Sequence, residues 1–162
     1  MKWLFRVVLL VTFGWAAWAM WPNESRRIRR GIEQLSAAIS FSPRDGNIAR
    51  LASIEATMSH FTKDAEIQVD TAGFAARTLS GEEEIREIVA LSRRADDGIQ
   101  VEVFDIVVTL GPGPDEASAA LTATARSGGT ELVAAQEFVF RMRKVDRRWR
   151  IQRIQAVRTL QK

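Results

Sequence analysis

Beyond Pro22 the apolar residues of this chain fall into three helical stripes followed by a series of alternating stretches. Ile28, Ile32, Leu35 and Ile39 recur at helical spacing, with Arg26, Arg27, Arg30 and Glu33 elsewhere on the cylinder, and Ser42-Pro43 stops the run. Asp45-Gly46-Asn47 offers a turn and an N-cap for a second stripe made of Ile48, Leu51, Ile54, Met58 and Phe61. At Ala65 the period drops to two: Ala65, Ile67 and Val69 alternate with Glu66, Gln68 and Asp70, the pattern of a half-buried strand. Phe74 to Leu79 is its candidate partner. Ser80-Gly81-Glu82-Glu83 then reads as a capping box, opening a third helix through Ile85, Ile88 and Val89 that ends near Asp97-Gly98.

Everything after Gly98 reads as strand: Ile99 to Leu110, Ala117 to Arg126, Glu131 to Lys144 and Trp149 to Leu160. Turn signals at Gly111-Pro112-Gly113-Pro114-Asp115, Ser127-Gly128-Gly129 and Val145-Asp146-Arg147-Arg148 separate them and predict antiparallel neighbours. These strands are about twice the usual ~5 to 6 residues, so the sheet must bend or carry bulges. On the third, Leu132, Ala134, Gln136, Phe138, Phe140 and Met142 share the face that should meet the helices. A polar Gln136 among them is costly unless it finds a hydrogen-bond partner, water or ligand.

The segment before this domain has a different character. Val7 to Trp21 contains no charge, and with Arg6 snorkelling to the headgroups the span from Trp3 to Trp21 is long enough for a single-pass anchor. Trp3, Trp18 and Trp21 fit an interfacial belt. The competing reading is a cleaved signal peptide, with Lys2 and Arg6 as its basic region and Ala17-Trp18-Ala19 as its cleavage site. The bulky tryptophans favour retention. Residues 1–22 are therefore expected to hold the chain in the bilayer of an inner membrane, with residues 23–162 forming one domain; basic residues flank both ends of the span, and a short basic N-terminus favours the extracytoplasmic side for that domain over the cytosolic alternative, which keeps the four arginines inside. Arginines 26, 27, 29 and 30 follow closely, so Arg26, Arg27, Arg29 and Arg30 are expected at the membrane surface, against the alternative of a solvated helix face paired with Glu24 and Glu33.

Charge and composition exclude several functions. With Lys2 and Arg6 set aside, the domain carries 21 basic against 20 acidic residues, and the chain has no tyrosine, a poor basis for a nucleic-acid groove. There is no cysteine and a single histidine, His60, so neither disulfides nor the usual zinc ligand set is available; no metal and no cofactor is expected.

The order of two helices, a short strand pair, a helix and four long strands resembles the nuclear transport factor 2-like cone fold, which includes SnoaL-like proteins and ketosteroid isomerase. The likeness is carried by His60-Phe61-Thr62-Lys63-Asp64-Ala65-Glu66-Ile67, by Leu79-Ser80-Gly81-Glu82-Glu83-Glu84-Ile85 and by Arg143-Lys144-Val145-Asp146-Arg147-Arg148-Trp149-Arg150-Ile151, and it covers roughly residues 25 to 160. It implies an α+β domain of three helices packed on a long curved antiparallel sheet. Members of that superfamily bury a cavity between sheet and helices and serve as isomerases, cyclases, dehydratases, ligand binders or assembly modules, so the fold does not choose among these. Membrane-anchored versions occur as envelope assembly subunits. The resemblance also implies a homodimer through the outer sheet face, where Val133, Ala135 and Val139 would contribute.

Two functional readings follow. In the first, the chain is a membrane-anchored, non-enzymatic cone domain that binds a partner protein or a small apolar ligand, with Gln136, Phe138, Phe140 and Met142 lining the pocket. In the second it is a SnoaL-like acid–base enzyme acting on a hydrophobic molecule. His60, Asp70 or Asp105 would carry the proton there, and Gln136 would orient the substrate. Each residue also has a plainer reading: His60 as a helix-end residue whose charged form the dipole favours, Asp64 as a turn organiser, Asp105 as a bulge or edge position, and Gln136 as a satisfied core amide.

Overall fold

The computed structural model describes residues 24–69, 77–94, 98–127 and 134–157. In chain order these form α1 (Glu24–Ile39), α2 (Asn47–Met58), β1 (Phe61–Val69), β2 (Arg77–Ser80), α3 (Glu82–Ser92), β3 (Ile99–Leu110), β4 (Glu116–Ser127), β5 (Ala134–Val145) and β6 (Arg148–Ala156). The architecture is α+β, three helices against one six-stranded sheet of order β2-β1-β6-β5-β4-β3. The expected anchor, residues 1–22, lies outside the described residues. Among those described, no helix is long and apolar enough to cross a membrane.

The stripe that predicts α1 is the centre of the core: Ile28, Ile32 and Leu35 are all buried on the inner face of the sheet. They meet the inward side chains of the long strands, Ile106 of β3, Ala117, Ala119 and Leu121 of β4, Phe140 and Met142 of β5, and Ile151 and Ile154 of β6. The alternation along β4 and β5 follows directly from strand geometry, every second residue facing the helices.

Four features depart from the expectations. The sheet is mixed rather than antiparallel, because β1 pairs with β6 in parallel, with Phe61 opposite Ile151 and Ile67 opposite Ile154. Both strands run from the same end of the sheet: β1 leaves α2 at His60, whose carbonyl accepts a hydrogen bond at 2.7 Å from the N–H of Ile151, the fourth residue of β6. An alternating pattern marks a strand but does not encode its direction. Second, α2 ends at Met58 and Phe61 already belongs to β1, while Ile48 and Leu51 are 86% and 65% exposed, so only the C-terminal end of that stripe is buried. Third, α3 stops at Ser92, well before Gly98. Fourth, its cap is displaced by one residue: Gly81 takes the N-cap position at φ 85°, and Glu84 reaches back to accept from Ser80 N at 2.8 Å.

Register shifts and one tight turn shape the sheet: the β1–β6 pairing slips between Phe61 and Glu66, and the β5–β6 pairing slips between Arg141 and Met142. In β3 the register slips between Phe104 and Val107, so that Asp105 and Ile106 form a bulge with Asp105 at φ 54°. The bulge turns Ile106 inward and leaves Phe104 and Val107 facing outward. The β5–β6 connection is a two-residue hairpin whose central residues Asp146 and Arg147 both have positive φ, 51° and 62°, the turn geometry that matches strand twist.

Arg93, just past α3, fixes the far end of α1. It is 3% exposed and has no carboxylate within ion-pair distance among the described residues; its Nη atoms donate to the carbonyls of Ile39 and, at 2.7 Å, Ala38, and its guanidinium lies 4.6 Å from the Phe41 ring centre. These are two of the carbonyls that a helix C-terminus leaves without intrahelical partners. Arg93→Met should therefore lower unfolding stability by about 2–5 kcal/mol, since it strands two buried acceptors. Arg93→Lys should recover only part of that loss, because an ammonium cannot span both carbonyls as a planar fork does. Urea titration of the three proteins provides the measurement.

Candidate functional site

Of the four side chains proposed for proton transfer and substrate orientation, the three among the described residues do not converge. His60 sits half-buried at the junction of α2 and β1. Burial lowers its pKa from 6.5, the opposite direction to the one expected from a helix end. Asp105 is exposed on the edge strand, at the bulge, with three strands between it and β1. Gln136 lies near the start of β5, where its Nε2 donates to the carbonyls of Val157 at 2.6 Å and Glu137 at 3.1 Å. The amide thus closes the end of the β5–β6 ladder. Asp70 lies outside the described residues.

The apolar residues assigned to the pocket do share one face. Phe140 and Met142 are buried in the core cluster, Phe138 packs against it, and the two phenyl rings lie 6.4 Å apart in a tilted arrangement. Among the described residues no group of three histidine or acidic side chains has an arrangement that would hold a metal ion.

The arginines of α1 have specific partners. Arg29 Nη2 donates to the carbonyl of Ile106 at 2.7 Å, meeting the backbone group that the β3 bulge turns toward the helix. Arg27 Nη2 donates to the Arg147 carbonyl at 3.1 Å and Arg27 pairs with Glu24 at 3.4 Å, as the local-pairing alternative anticipated. Arg26 and Arg30 are exposed. Glu24 itself receives Lys144 Nζ at 3.0 Å and the indole N–H of Trp149, while Lys144 stands over the Trp149 ring. Burial raises the Glu24 pKa, but the hydrogen bonds from Trp149 and Lys144 and the adjacent cations prevail, leaving it below 4.5.

The outer face of the sheet carries polar chemistry that sequence reasoning did not single out. A half-open cleft of about 490 Å³ lies over β3, β4 and β5 near the β3–β4 turn, lined by Thr109, Ser118, Arg141, Arg143, Gln152 and Glu116 among others. Asp64, expected to organise a turn, instead points across from β1 and accepts from Arg143 Nη2 at 2.7 Å and Gln152 Nε2 at 3.3 Å. Its pKa is lowered by a hydrogen bond from Thr62 and by Arg143, against a smaller opposing effect of burial. The available signal was the outward half of the β5 alternation, where Arg141 and Arg143 stand two residues apart. Further along the same face Phe104 and Val107 are exposed, Val139 is half-buried and Ala135 is exposed; Val133 lies outside the described residues.

A family model described as SnoaL-like domain matches residues 49–155, and the chain belongs to that family. Solved structures share the fold at low identity. A protein of Novosphingobium aromaticivorans provisionally named a scytalone dehydratase is 16% identical, with a TM-score of 0.63 over 83% of this chain and 85% of that one. From the same organism, a protein provisionally named an aromatic ring hydroxylase is 18% identical, with a TM-score of 0.65 over 82% and 86% of the two chains. A provisionally named dehydratase of the NTF2-like family from Streptomyces avermitilis is 16% identical, with a TM-score of 0.62 over 84% and 97%. Curated proteins give no match.

The shifts at Glu24 and His60 set a pH dependence. Glu24 has a folded pKa below its unfolded value, so its contribution is complete above pH 4.5 and is lost as pH falls through the folded value. His60 is also depressed, so stability declines as pH falls below 6.5 until the folded pKa is passed. Urea midpoints measured from pH 8 to pH 3 should fall in both windows. Glu24→Gln should flatten the lower one and His60→Asn the upper one.

Proposed function

We propose that this SnoaL-like domain is a non-catalytic binding module, held at the extracytoplasmic face of an inner membrane by residues 1–22, that engages a partner protein or a small apolar ligand. The observation behind this reading is the dispersal of the candidates among the described residues: His60 at a helix–strand junction, Asp105 on an exposed bulge, and the orienting Gln136 bonded to the carbonyls of Glu137 and Val157. Proton transfer needs such groups within hydrogen-bond reach of one substrate. On the inward face Phe140 and Met142 are packed into the apolar core with Phe138 against it, and no proton carrier stands among them.

The partner includes a second copy of this chain. Phe104 and Val107 on β3 lie outward at 42% and 62% exposure, and Ala120 and Val139 continue the strip in register across β4 and β5. An apolar strip of this kind can pair with its own copy about a two-fold axis. It lies beside the cleft rather than across it.

Membranes carrying the full chain should retain it through an alkaline wash, and Gly113→Cys, the sole thiol, should react with an impermeant label in intact cells. A side chain at Gly113 meets its nearest neighbour, Glu116 Cδ, at an ordinary 4.0 Å, so the substitution leaves the turn intact. Release by the wash, or labelling only after lysis, contradicts the membrane-held reading. Turnover of a hydrophobic substrate that disappears in His60→Ala or Asp105→Ala, with the fold retained, would replace it with the acid–base enzyme.

Val107→Glu should convert the dimer to monomer in sedimentation experiments at concentrations where the parent protein associates, since like carboxylates would face each other across the strip. Monomers of the parent chain at every concentration would remove the second copy from the proposal.

A further inference from the structure

The strand register places four arginines in a block on the outer face of the β5–β6 pair. Arg141 stands directly opposite Arg153, and Arg143 directly opposite Arg150. Like charges in directly opposed cross-strand positions repel, and two such pairs in succession are a costly arrangement for a sheet to keep. Carboxylates relieve part of it: Arg153 pairs with Glu66 at 2.6 Å and Arg143 with Asp64 at 2.7 Å, and Glu116 is the register partner of Arg143 on β4. Arg141 has no carboxylate within ion-pair distance among the described residues, and Arg150 makes only a long 3.5 Å contact, to the Phe61 carbonyl. The Nε atoms of Arg143 and Arg150 are both buried donors without an acceptor. The block therefore has one cation in excess of its three carboxylates, and it has donors still unmatched.

We infer that the cleft beside this block binds a phosphate-class anion between Arg141 and Arg143, with the hydroxyls of Ser118 and Thr109 completing its coordination. The register supports that grouping, since Thr109, Ser118 and Arg141 occupy one continuous row across three strands. Asp64 and Gln152 hold the Arg143 guanidinium in place, and a planar guanidinium can present two parallel N–H donors to phosphate oxygens. The 490 Å³ volume admits a phosphate together with an attached organic group. Glu116 at the wall raises the requirement on the ligand: the anion must engage both arginines to outweigh it.

The cleft lies at the end of the domain where α1 begins. Lys144 connects the two, its N–H donating to the Asp115 carbonyl at 2.8 Å and its ammonium pairing with Glu24 at 3.0 Å. A phosphate here can come from a free phosphorylated molecule or from a lipid headgroup, and the same coordination serves both. The site does not require residues 1–22 to be retained in a membrane, so its failure and the failure of the membrane-held reading are separate results.

The test uses the detergent-solubilised full chain titrated with inorganic phosphate at constant ionic strength, with chloride as the balancing salt and thermal unfolding as the readout. Phosphate should raise the unfolding temperature saturably. Arg141→Gln and Arg143→Gln should each weaken binding by about tenfold or more, the loss of a charge-assisted hydrogen-bond pair. Arg44→Gln, an exposed arginine on the α1–α2 loop, should bind as the parent does. In phosphate-free buffer Arg141→Gln should be at least as stable as the parent, because it removes one of the opposed like-charge pairs; this separates loss of a ligand from loss of the fold. A second arm places the full chain in nanodiscs of phosphatidylglycerol or of phosphatidylcholine. Competition with inorganic phosphate by phosphatidylglycerol alone identifies a headgroup, and undiminished phosphate binding in both identifies a free ligand. Phosphate that acts no better than chloride, or that acts equally on the two glutamine variants, overturns the inference.

Discussion

A single buried guanidinium anchors the geometry on which the remaining contacts depend. Taking the Arg93 cation out of water costs several kcal/mol, and among the described residues no carboxylate lies within ion-pair distance, the charge of Asp45 offsetting only part of the burial. The compensation comes from the end of α1: two terminal carbonyls, the negative pole of the helix and the face of Phe41. Because those acceptors exist only when α1 ends at Ile39, the charge on Arg93 stabilises one particular helix length and one position of α3 against it. The next stretch is equally constrained. Phe41 exchanges backbone hydrogen bonds with Ile99, and Gly98 at φ 68° passes so close to Pro43 and the Phe41 carbonyl that a Cβ would meet them at 2.7 and 2.9 Å. The start of β3 is thereby tied to the end of α1.

The other end of α1 is held by a different chemistry, through Glu24, Lys144 and Trp149, and its middle by Arg29 on the bulged β3 carbonyl of Ile106. Between these polar fastenings lies the apolar contact of Ile28, Ile32 and Leu35 with four strands. This explains why a helix so rich in arginine belongs to the core layer. Arg27 and Arg29 are bonded to carbonyls of the sheet and its turn, so only part of the basic character that the sequence advertises is left on the surface.

Much of this was legible in the chain because periodicity reports burial. The stripe of α1, the inward face of β5 and the turns at Gly111–Asp115 and Asp146-Arg147 all follow from residue type and spacing. Gln136 could be read as a polar residue requiring a partner, and it has one in Val157; that the partner is backbone and not ligand depends on where the last strand ends, which spacing does not state. Other features were hidden for definite reasons. Ile48 and Leu51 continue a faultless helical stripe, but periodicity cannot say where the surface beneath a helix stops. The parallel union of β1 with β6 joins segments some ninety residues apart, and alternation is the same in either direction. Asp105 interrupts an apolar strand whether it points into a pocket or forms a bulge, and only the positive φ distinguishes them.

The inward and outward faces of the same strands illustrate how a fold can be legible while its chemistry is not. Inward positions are constrained by packing, so Phe140, Met142, Ile151 and Ile154 announce themselves as apolar. Outward positions read as ordinary surface, and an arginine every second residue looks like solubility. Register changes that meaning, because it sets Arg141 against Arg153 and Arg143 against Arg150, and opposed like charges need an explanation that solvated single ones do not. One-dimensional spacing cannot supply this, since the register shift opposite Arg141 and Met142, where Gln152 of β6 is left unpaired, decides which arginines face each other. The chemical content of this sheet therefore lies in the pairing of its strands as much as in the residues they carry.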